Sequence, residues 1–265
     1  MRALHQNLPR PRHGSALLAM GYSRRNYRQG LCPAGMKAFT VTVKETDLWI
    51  AVDEEAVTDS LAAEIEQYTW QERRALEKYI QEDPYFTKTL EPFLVSPTAP
   101  SIALEMARAG NLARVGPMAA VAGAFAQRIG MEILRYCRQV IVENGGDIFL
   151  RCDKPLSIGV FAGNSPFSQQ VALRIKPREA PRGICTSSGR VGPSFSRGEA
   201  DAAVIMAKDA LLADAVATET ANRVQREKGL DKALEFARQI PGIEGVLIIQ
   251  DDRLAAWGDI QLEEG

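Results

Sequence analysis

The stretch from Gly116 to Asp147 constrains the fold more than any other part of the chain. It predicts a loop, a helix, the strand Gln139 to Val142 and a turn. The helical part is so rich in alanine and glycine that its backbone can pack very close to a neighbouring element. The strand runs into Glu143-Asn144-Gly145-Gly146-Asp147, where two glycines permit positive φ and leave backbone N–H groups uncovered. Such a turn suits an anion or a ring edge, and it also suits a plain hairpin.

Composition and charge exclude two classes of partner. The 265 residues are 46% apolar and 25% charged, and the formal net charge is -1. This balance gives no basic footprint for nucleic acid or for an acidic membrane surface. The apolar runs are far shorter than the ~20 residues that cross a bilayer, and the N-terminus has no clean apolar signal core. We therefore expect a cytoplasmic protein that binds neither nucleic acid nor membrane.

Cysteine and histidine usage limits the available chemistry. The four cysteines are too scattered for a disulfide framework or a CxxC zinc site. Both histidines, His5 and His13, fall in residues 1–25, whose basic, aperiodic composition predicts a disordered arm. Residues 26–265, predicted to form a single domain, therefore lack the usual general base and the commonest metal ligand. Chemistry there must use oxygen ligands, carboxylates or thiols.

Hydrophobic periodicity before the central stretch predicts a hairpin and two helices. KAFTVTV and TDLWIAV alternate apolar and polar residues, as paired strands do. A long amphipathic helix follows and stops before Pro84. The segment PYFTKTLEPFLVSPTAP is predicted to be a loop whose large apolar residues are pinned to the core. The next helix is expected to begin near Pro100 and Ser101 and to end at Gly110.

After the central stretch, the pattern predicts mainly strands. DIFLRC, SIGVFAG and QQVALRIKP are expected to form an antiparallel meander, and AAVIMA adds a strand. A helix capped by Asp209 should be closed by Gly229, and a short helix from Lys232 to Gln239 should follow. A hairpin around Asp251 and Asp252 ends the chain. The predicted fold class is α+β, an antiparallel sheet with helices packed on it.

Two polar constellations could carry chemistry. Asp214 and Thr218 are four residues apart on a predicted helix, so they share one face among alanines. A carboxylate and a hydroxyl there could hold a hard cation such as Mg²⁺; alternatively, Asp214 supports its helix through the macrodipole and Thr218 bonds to its own helix. Thr186-Ser187-Ser188-Gly189 is expected to be a loop, which either contacts a ligand or is only structural. Cys185 beside it is predicted to be a small buried hydrophobe rather than a reactive thiol.

The order of these motifs resembles the ApbE family of flavin transferases. That family has KG-x-AVD on a helix, N-x-GGDI after a strand, SG in a loop and AD-A-x-AT on a later helix. This chain has GPMAAVA, ENGGDI, TSSG and ADAVAT in the same order. KETDLWIA, CTSSGRVG and the closing AAWGD are similar to a cytoplasmic branch of ApbE-like proteins, and the match runs from about Tyr27 to Ile260.

The resemblance implies a fold, a chemistry and a site. The fold is ApbE-like (T-fold-like), with FAD or FMN in a cleft and Mg²⁺ assisting transfer of FMN from FAD to a hydroxyl of an acceptor protein. Asp214 and Thr218 match the metal pair, joined by a carbonyl near Val115 and Gly116, and Asp147 or Asp214 would take the acceptor proton. The implied nucleotide-binding residues are Gly116, Pro117, Met118, Asn144, Gly145, Gly146, Asp147, Thr186, Ser187, Ser188 and Gly189. We expect these loops to converge on one cleft; a homo-oligomeric state is left open.

Two departures from the family pattern support a second hypothesis. The family lysine is absent and Ala122 takes the place of the family aspartate. Flavin transferases also usually carry an export signal, and this sequence shows none. The alternative is a non-catalytic binding or assembly protein that keeps the fold, in a setting such as anaerobic sulfur assimilation, with Cys185 as the candidate thiol. Intact Asp214 and Thr218 favour the transferase.

Overall fold

The computed structural model describes residues 32–190, 198–225 and 229–265. The predicted arm at residues 1–25 lies outside them. The described strands are β1 Met36–Val43, β2 Thr46–Asp53, β3 Val140–Asn144, β4 Asp147–Arg151, β5 Leu156–Gly159, β6 Val171–Ile175, β7 Arg182–Ser187, β8 Ala202–Ala207, β9 Ile243–Gln250, β10 Arg253–Gly258 and β11 Leu262–Glu264. The described helices are α1 Asp59–Glu82, α2 Tyr85–Lys88, α3 Ser101–Ala113, α4 Val121–Ile133, α5 Ala210–Arg223 and α6 Gly229–Arg238, and a 3-10 turn covers Pro117–Ala120. The predicted α+β class is confirmed.

One antiparallel sheet of eight strands organises the molecule. Its strand order is β1-β2-β3-β4-β7-β8-β9-β10, and every pairing is antiparallel. The predicted hairpins β1–β2 and β9–β10 are confirmed, the second turning at Asp251 and Asp252. The Gly-Gly turn also joins neighbouring strands, with Asn144 opposite Asp147.

The predicted meander after the Gly-Gly turn is wrong. β4 pairs with β7, whereas β5 and β6 leave the large sheet and form a second, three-stranded sheet with β11. This small sheet covers one face of the large one, and both bury a shared apolar core that includes Trp49, Leu173 and Ile175. All three segments do form strands, but the sequence pattern does not specify which strand becomes the neighbour.

The helices cover the opposite face of the large sheet. That core includes side chains from α1, α3, α4 and α5 and from the inward-facing positions of β3, β7 and β8. α5 is buried almost all round, as its run of alanines requires. Asp209 caps α5 as predicted, since its side chain accepts from Leu212 N–H at 2.9 Å. The predicted stop at Gly229 is wrong, because α5 ends at Arg223 and Gly229 begins α6.

Other element boundaries differ from the predicted ones by a few residues. The loop after Pro84 contains the short helix α2, and α3 continues past Gly110 to Ala113. The expectation that this loop pins its large apolar residues to the core holds for Phe86 but is wrong for Leu94, which is 89% exposed. In the described part of the chain, no helix is both long enough and apolar enough to cross a membrane.

Candidate functional site

The N-terminus of α4 lies unusually close to α5. A Cβ at Gly123 would be 2.3 Å from the carbonyl oxygen of Ala210 and 2.9 Å from Cβ of Asp214. β7 approaches α5 in the same way, because a Cβ at Gly183 would be 2.3 Å from Cα of Ala210. Small residues at these points bring α4, α5 and β7 together. The side chain of Asp214 on α5, the thiol of Cys185 on β7 and the N-terminal backbone of α4 thereby lie close together.

Asp147 and Cys185 face this junction from neighbouring strands. The register of β4 and β7 pairs Ile148 with Ile184, which sets Asp147 opposite Cys185. Both side chains are buried, and the Cys185 thiol donates to the carbonyl of Ala210 at 3.3 Å. Oδ1 of Asp147 is buried without a hydrogen-bond partner among the described residues. A buried orphan oxygen is costly, so it marks a place where a ligand group could bind.

The buried carboxyl of Asp147 has a strongly perturbed pKa. Burial raises this pKa to about 7, and the Glu143 carboxylate adds to the rise. The Cys185 thiol and the Thr186 N–H hydrogen-bond to the carboxyl and offset part of the rise in its pKa. Burial also raises the pKa of Cys185 well above its usual value, and Asp147 and Asp214 act in the same direction. Cys185 is therefore buried, as predicted, and holds its proton.

Asp214 reaches the same junction from α5. Its Oδ2 accepts from the N–H of Gly123 at 2.8 Å, so its carboxylate lies at the N-terminus of α4. Burial raises its pKa well above the usual value, and Asp147 raises it further, whereas the N–H groups of Gly123 and Ala122 oppose the rise. No arginine or lysine contributes to the shift of either carboxyl. Two neighbouring buried carboxyls thus lack a compensating cation among the described residues.

The Gly-Gly turn is tied to α4 by Asn144. Its Nδ2 donates to the carbonyl of Ala122 at 3.1 Å. Gly145 and Gly146 both have positive φ, 70° and 108°, which side chains rarely adopt. A Cβ at Gly146 would meet nothing within 4 Å, so the space over this backbone is open. The expectation that the N–H groups of the turn are uncovered is wrong for Gly146, whose N–H donates to Glu143 Oε1 at 2.7 Å.

The 3-10 turn that holds Pro117 and Met118 lies between α3, α4 and α5. Pro117 is buried and Met118 is partly exposed. Gly116 is needed because a Cβ there would be 2.0 Å from the carbonyl oxygen of Thr89. The turn therefore adjoins the helix that carries Asp214 and Thr218. Thr218 is partly exposed on α5, one turn after Asp214.

The segment Thr186 to Gly189 is only partly the predicted loop. Thr186 and Ser187 are the last residues of β7, because they pair with Val204 and Ala203 of β8. Ser187 is buried, and its Oγ has no partner among the described residues. Beyond the strand, Ser188 Oγ and Gly189 N–H both donate to the carbonyl of Ala200. The backbone N–H of Thr186 thus faces Asp147, whereas Ser188 and Gly189 lie against the segment before β8.

Arg190 fixes the end of this segment. Its guanidinium contacts the carboxylates of Asp201 at 3.1 Å and Asp251 at 2.7 Å. Asp201 is buried and also accepts from the N–H of Asp251 at 2.6 Å. The β7–β8 connection is therefore attached to the β9–β10 turn.

Sequence reasoning missed the small residues that close the junction. Gly123, Gly183 and Ala210 carry no functional group, yet they let Asp214, Cys185 and Asp147 meet. The only available signal was the density of glycine and alanine in α4 and α5. The described residues contain no group of three or more His, Cys, Asp and Glu side chains with metal-site geometry. A cation bound here would therefore need carbonyl and hydroxyl oxygens, besides carboxylates, in its coordination shell.

Comparison with known proteins shows which family the chain is similar to. A family model described as AbpE bacteria matches residues 29–254. A UPF0280 protein from Methanococcoides burtonii is 39% identical over 220 residues, which cover 82% of this chain and 91% of that protein. UPF0280 protein MJ1526 from Methanocaldococcus jannaschii is 38% identical over 225 residues, covering 83% and 90%.

The chain belongs to the AbpE family. Among solved structures, it is similar to the flavin transferase ApbE from Vibrio cholerae, with a TM-score of 0.55 and 16% identity over 85% of this chain and 97% of that one. It is also similar to the ApbE protein of Thermotoga maritima, with a TM-score of 0.52 and 14% identity over 87% and 97%. These likenesses show a shared ApbE-like fold, as the motifs indicated, and the match of the family model confirms the family.

Proposed function

We propose that this AbpE-family protein binds a flavin nucleotide, FAD or FMN, together with Mg²⁺ at the α4–α5–β7 junction and transfers FMN from FAD to an acceptor protein. The observation that carries the proposal is the pair of buried carboxyls, Asp147 and Asp214, with no compensating cation among the described residues. A buried carboxylate pair without a counter-charge is unfavourable. A bound cation removes that cost.

The donor set at the junction fits Mg²⁺. Magnesium prefers oxygen ligands and keeps waters or phosphate oxygens in much of its shell. Asp214 and Thr218 would supply a carboxylate and a hydroxyl, with a carbonyl near Val115 and Gly116 completing the protein's share. The orphan Oδ1 of Asp147 supplies a further buried acceptor beside them. When bound, the ion would neutralise the diphosphate of FAD and so favour departure of the nucleotide phosphate.

Residues of the chain would hold the nucleotide around this point. The open space over Gly146 lets a ligand approach the backbone of the turn, which Asn144 holds against α4. The 3-10 turn at Gly116 to Met118 and the segment Thr186 to Gly189 would supply further walls. Ligand sites of this kind combine small or apolar walls with a few placed polar groups.

Asp147 is suited to accept the acceptor's proton. In the transfer, the acceptor oxygen bonds to the phosphorus of the FMN half while the bond to the AMP half breaks. The acceptor hydroxyl must lose a proton, and Asp147 Oδ1 has no other partner among the described residues. Without a cation the pKa of this carboxyl is raised to about 7, and a cation beside it would lower that pKa and keep the carboxylate free to accept a proton at neutral pH.

The alanine at position 122 still allows α4, α5 and β7 to meet at the junction. Its carbonyl accepts from Asn144, and its N–H points to Asp214. The backbone at this position therefore contacts both Asn144 and Asp214, although the side chain has no carboxylate. The alternative of a sulfur carrier would need an accessible, acidic thiol, whereas Cys185 is fully buried with a raised pKa.

Absorbance spectra of the purified chain, titrated with FAD or FMN with and without Mg²⁺, test flavin binding. Mass spectrometry of a threonine- or serine-containing acceptor incubated with FAD and Mg²⁺ then tests transfer, since FMN adds a fixed mass and AMP is released. We expect binding that requires Mg²⁺, followed by the mass increase. Binding without any transfer to a panel of hydroxyl acceptors would reduce the protein to a flavin-binding member of the family.

A further inference from the structure

The partly buried side chain of Gln127, on α4, reaches the N-terminus of α5. Its Oε1 accepts from the N–H of Ala210, the first residue of α5, at 2.7 Å. Its Nε2 lies 3.4 Å from Oδ2 of Asp209, the residue that caps α5. N–H groups in the first turn of a helix have no partner within that helix, so Gln127 supplies one from another helix.

This contact mirrors the one between Asp214 and Gly123. Asp214, in the second turn of α5, accepts from the N–H of Gly123 in the first turn of α4. Gln127, in the second turn of α4, accepts from the N–H of Ala210 in the first turn of α5. On each helix the donor and the acceptor are four residues apart, so they lie on one face. Each helix therefore binds the first turn of the other.

Two such contacts fix the position of α5 against α4 more fully than one. With the contact between Asp214 and Gly123 alone, α5 could pivot about that point, and the second contact opposes this movement. The backbones are already very close here, since a Cβ at Gly123 would be 2.3 Å from the carbonyl oxygen of Ala210. Because Gly123 holds Oδ2 of Asp214, the direction of this carboxylate depends on the register of the two helices.

An amide suits position 127 better than a carboxylate. Asp147 and Asp214 are already two buried carboxyls at this junction, and Asp209 adds a third acidic group beside Gln127. The amide oxygen of Gln127 accepts from Ala210 without adding negative charge, and its NH₂ group faces Asp209. The negative charge of the junction is thus left to the carboxyls that would bind a cation.

We propose that Gln127 is a positioning residue for the candidate site: it sets the register of α5 against α4 and thereby directs the carboxylate of Asp214 toward the bound cation. This role rests on the proposed function for the cation, whereas the register is a property of the unliganded chain. Gln127 itself contacts neither cation nor nucleotide. Losing a group that orients a metal ligand usually lowers metal affinity about 10–100-fold. Because Gln127 acts on Asp214 through two helices, we expect about tenfold.

Amide hydrogen exchange in the unliganded chain, followed residue by residue by NMR, tests the register. Gln127→Met keeps a long side chain but replaces the amide by a thioether, which is a weak acceptor. Exchange of the Gly123 N–H should become about tenfold faster, because its contact with Asp214 is loosened. Exchange at Ile129, further along α4, should change little. An unchanged rate at Gly123, or equal acceleration at Gly123 and Ile129, would overturn the proposal, since Gln127 would then have no role or only a general stabilising one.

A donor–acceptor exchange separates the hydrogen bonds of Gln127 from its packing. Gln127→Glu combined with Asp209→Asn keeps an oxygen for the N–H of Ala210, an amide opposite it and the same net charge. Asparagine also caps helices as well as aspartate does. This double variant should keep exchange at Gly123 near the wild-type rate, and exchange as fast as in Gln127→Met would overturn the proposal. Gln239→Met, at an exposed glutamine outside the junction, is the control and should leave Gly123 unchanged.

Titration of the same variants with FMN and Mg²⁺ tests the effect on the site. In Gln127→Met the Mg²⁺ concentration that gives half-maximal FMN binding should rise about tenfold, whereas FMN affinity at saturating Mg²⁺ should be nearly unchanged. An unchanged Mg²⁺ midpoint, or FMN binding weakened equally at every Mg²⁺ concentration, would overturn the positioning of Asp214. A wild type that binds no FMN at any Mg²⁺ concentration would contradict the proposed function instead, and exchange at Gly123 would still decide whether Gln127 sets the register.

Discussion

The carboxylate of Asp214 accepts a 2.8 Å hydrogen bond from the backbone N–H of Gly123, 91 positions earlier in the chain. The residue before α4, Ala120, offers no side-chain cap. Asp214 therefore does for α4 what an N-cap residue normally does for its own helix. The positive end of the α4 dipole and the proposed metal ligand meet at one point, so the fold and the site depend on the same contact.

The closeness of α4 and α5 predicts that Gly123 cannot be enlarged. Gly123→Ala would place a Cβ 2.3 Å from the Ala210 carbonyl oxygen, and backbone must move to relieve it. We expect a loss of about 1–3 kcal/mol in the free energy of unfolding, as overpacking usually costs. Urea denaturation measures it. Gly159→Ala is the control, because a Cβ there meets nothing within 4 Å; equal effects in the two variants would contradict the close approach.

A partly buried ion network joins α1, α3 and α4. Arg128 contacts Glu72 at 2.6 Å and Glu105 at 2.9 Å, and Glu72 is buried. Arg128→Met should lower the free energy of unfolding by about 3–5 kcal/mol, because Glu72 would lose its counter-charge. Urea denaturation measures the loss. Arg135→Met is the control and should leave the free energy of unfolding nearly unchanged, since Arg135 pairs with Glu132 at the surface. A stable Arg128→Met protein would show that Glu72 finds another partner.

The raised pKa of Asp147 predicts a pH dependence of stability. Its pKa is about 7 in the folded chain and about 3.9 in the unfolded chain. The unfolded chain therefore loses this proton first as pH rises, so the contribution is intact below about pH 4 and is lost by the time pH passes 7. Thermal midpoints in EDTA between pH 5 and 8 should fall less steeply in Asp147→Asn than in the wild type. Asp252→Asn, an exposed control, should keep the wild-type slope; parallel slopes in all three would be inconsistent with the shift.

The thiols should differ sharply in reactivity. Cys185 is buried and its pKa is raised well above the usual value, whereas Cys32 is exposed and its pKa is raised by partial burial and by Glu54. Iodoacetamide at neutral pH should modify Cys32 in the native chain and reach Cys185 only after unfolding. Peptide mass mapping over time distinguishes them. Rapid modification of native Cys185 would revive the sulfur-carrier hypothesis.

The sequence predicted local elements better than their neighbours. The β1–β2 hairpin follows from alternation and the cap at Asp209 from residue type, and both are confirmed. The departure of β5 and β6 to a second sheet was missed, because alternation sets which side chains share a face but not which strands pair.

In the candidate site too, the sequence predicted individual residues better than the contacts between distant elements. The motifs pointed to Asp147, Asp214 and Asn144, and the structure brings these residues to one junction. That Asp214 caps α4 could not be predicted, because the contact depends on the approach of two helices distant in sequence. The exposure of Leu94 was also missed, since a large apolar residue between prolines gives no sign of its partner.

Calorimetric titration of the wild type and Asp214→Asn with FAD and FMN, with and without Mg²⁺, tests the central claim most directly. Asparagine keeps an oxygen that can accept from Gly123 N–H but removes the charge, so α4 should stay capped while cation binding is lost. Glu219→Gln, on the same helix, is the control. The account predicts nucleotide binding that requires both Mg²⁺ and Asp214 and is unchanged in the control. A wild type that binds neither nucleotide with or without Mg²⁺, or an Asp214→Asn protein that binds as tightly as the wild type, would contradict it.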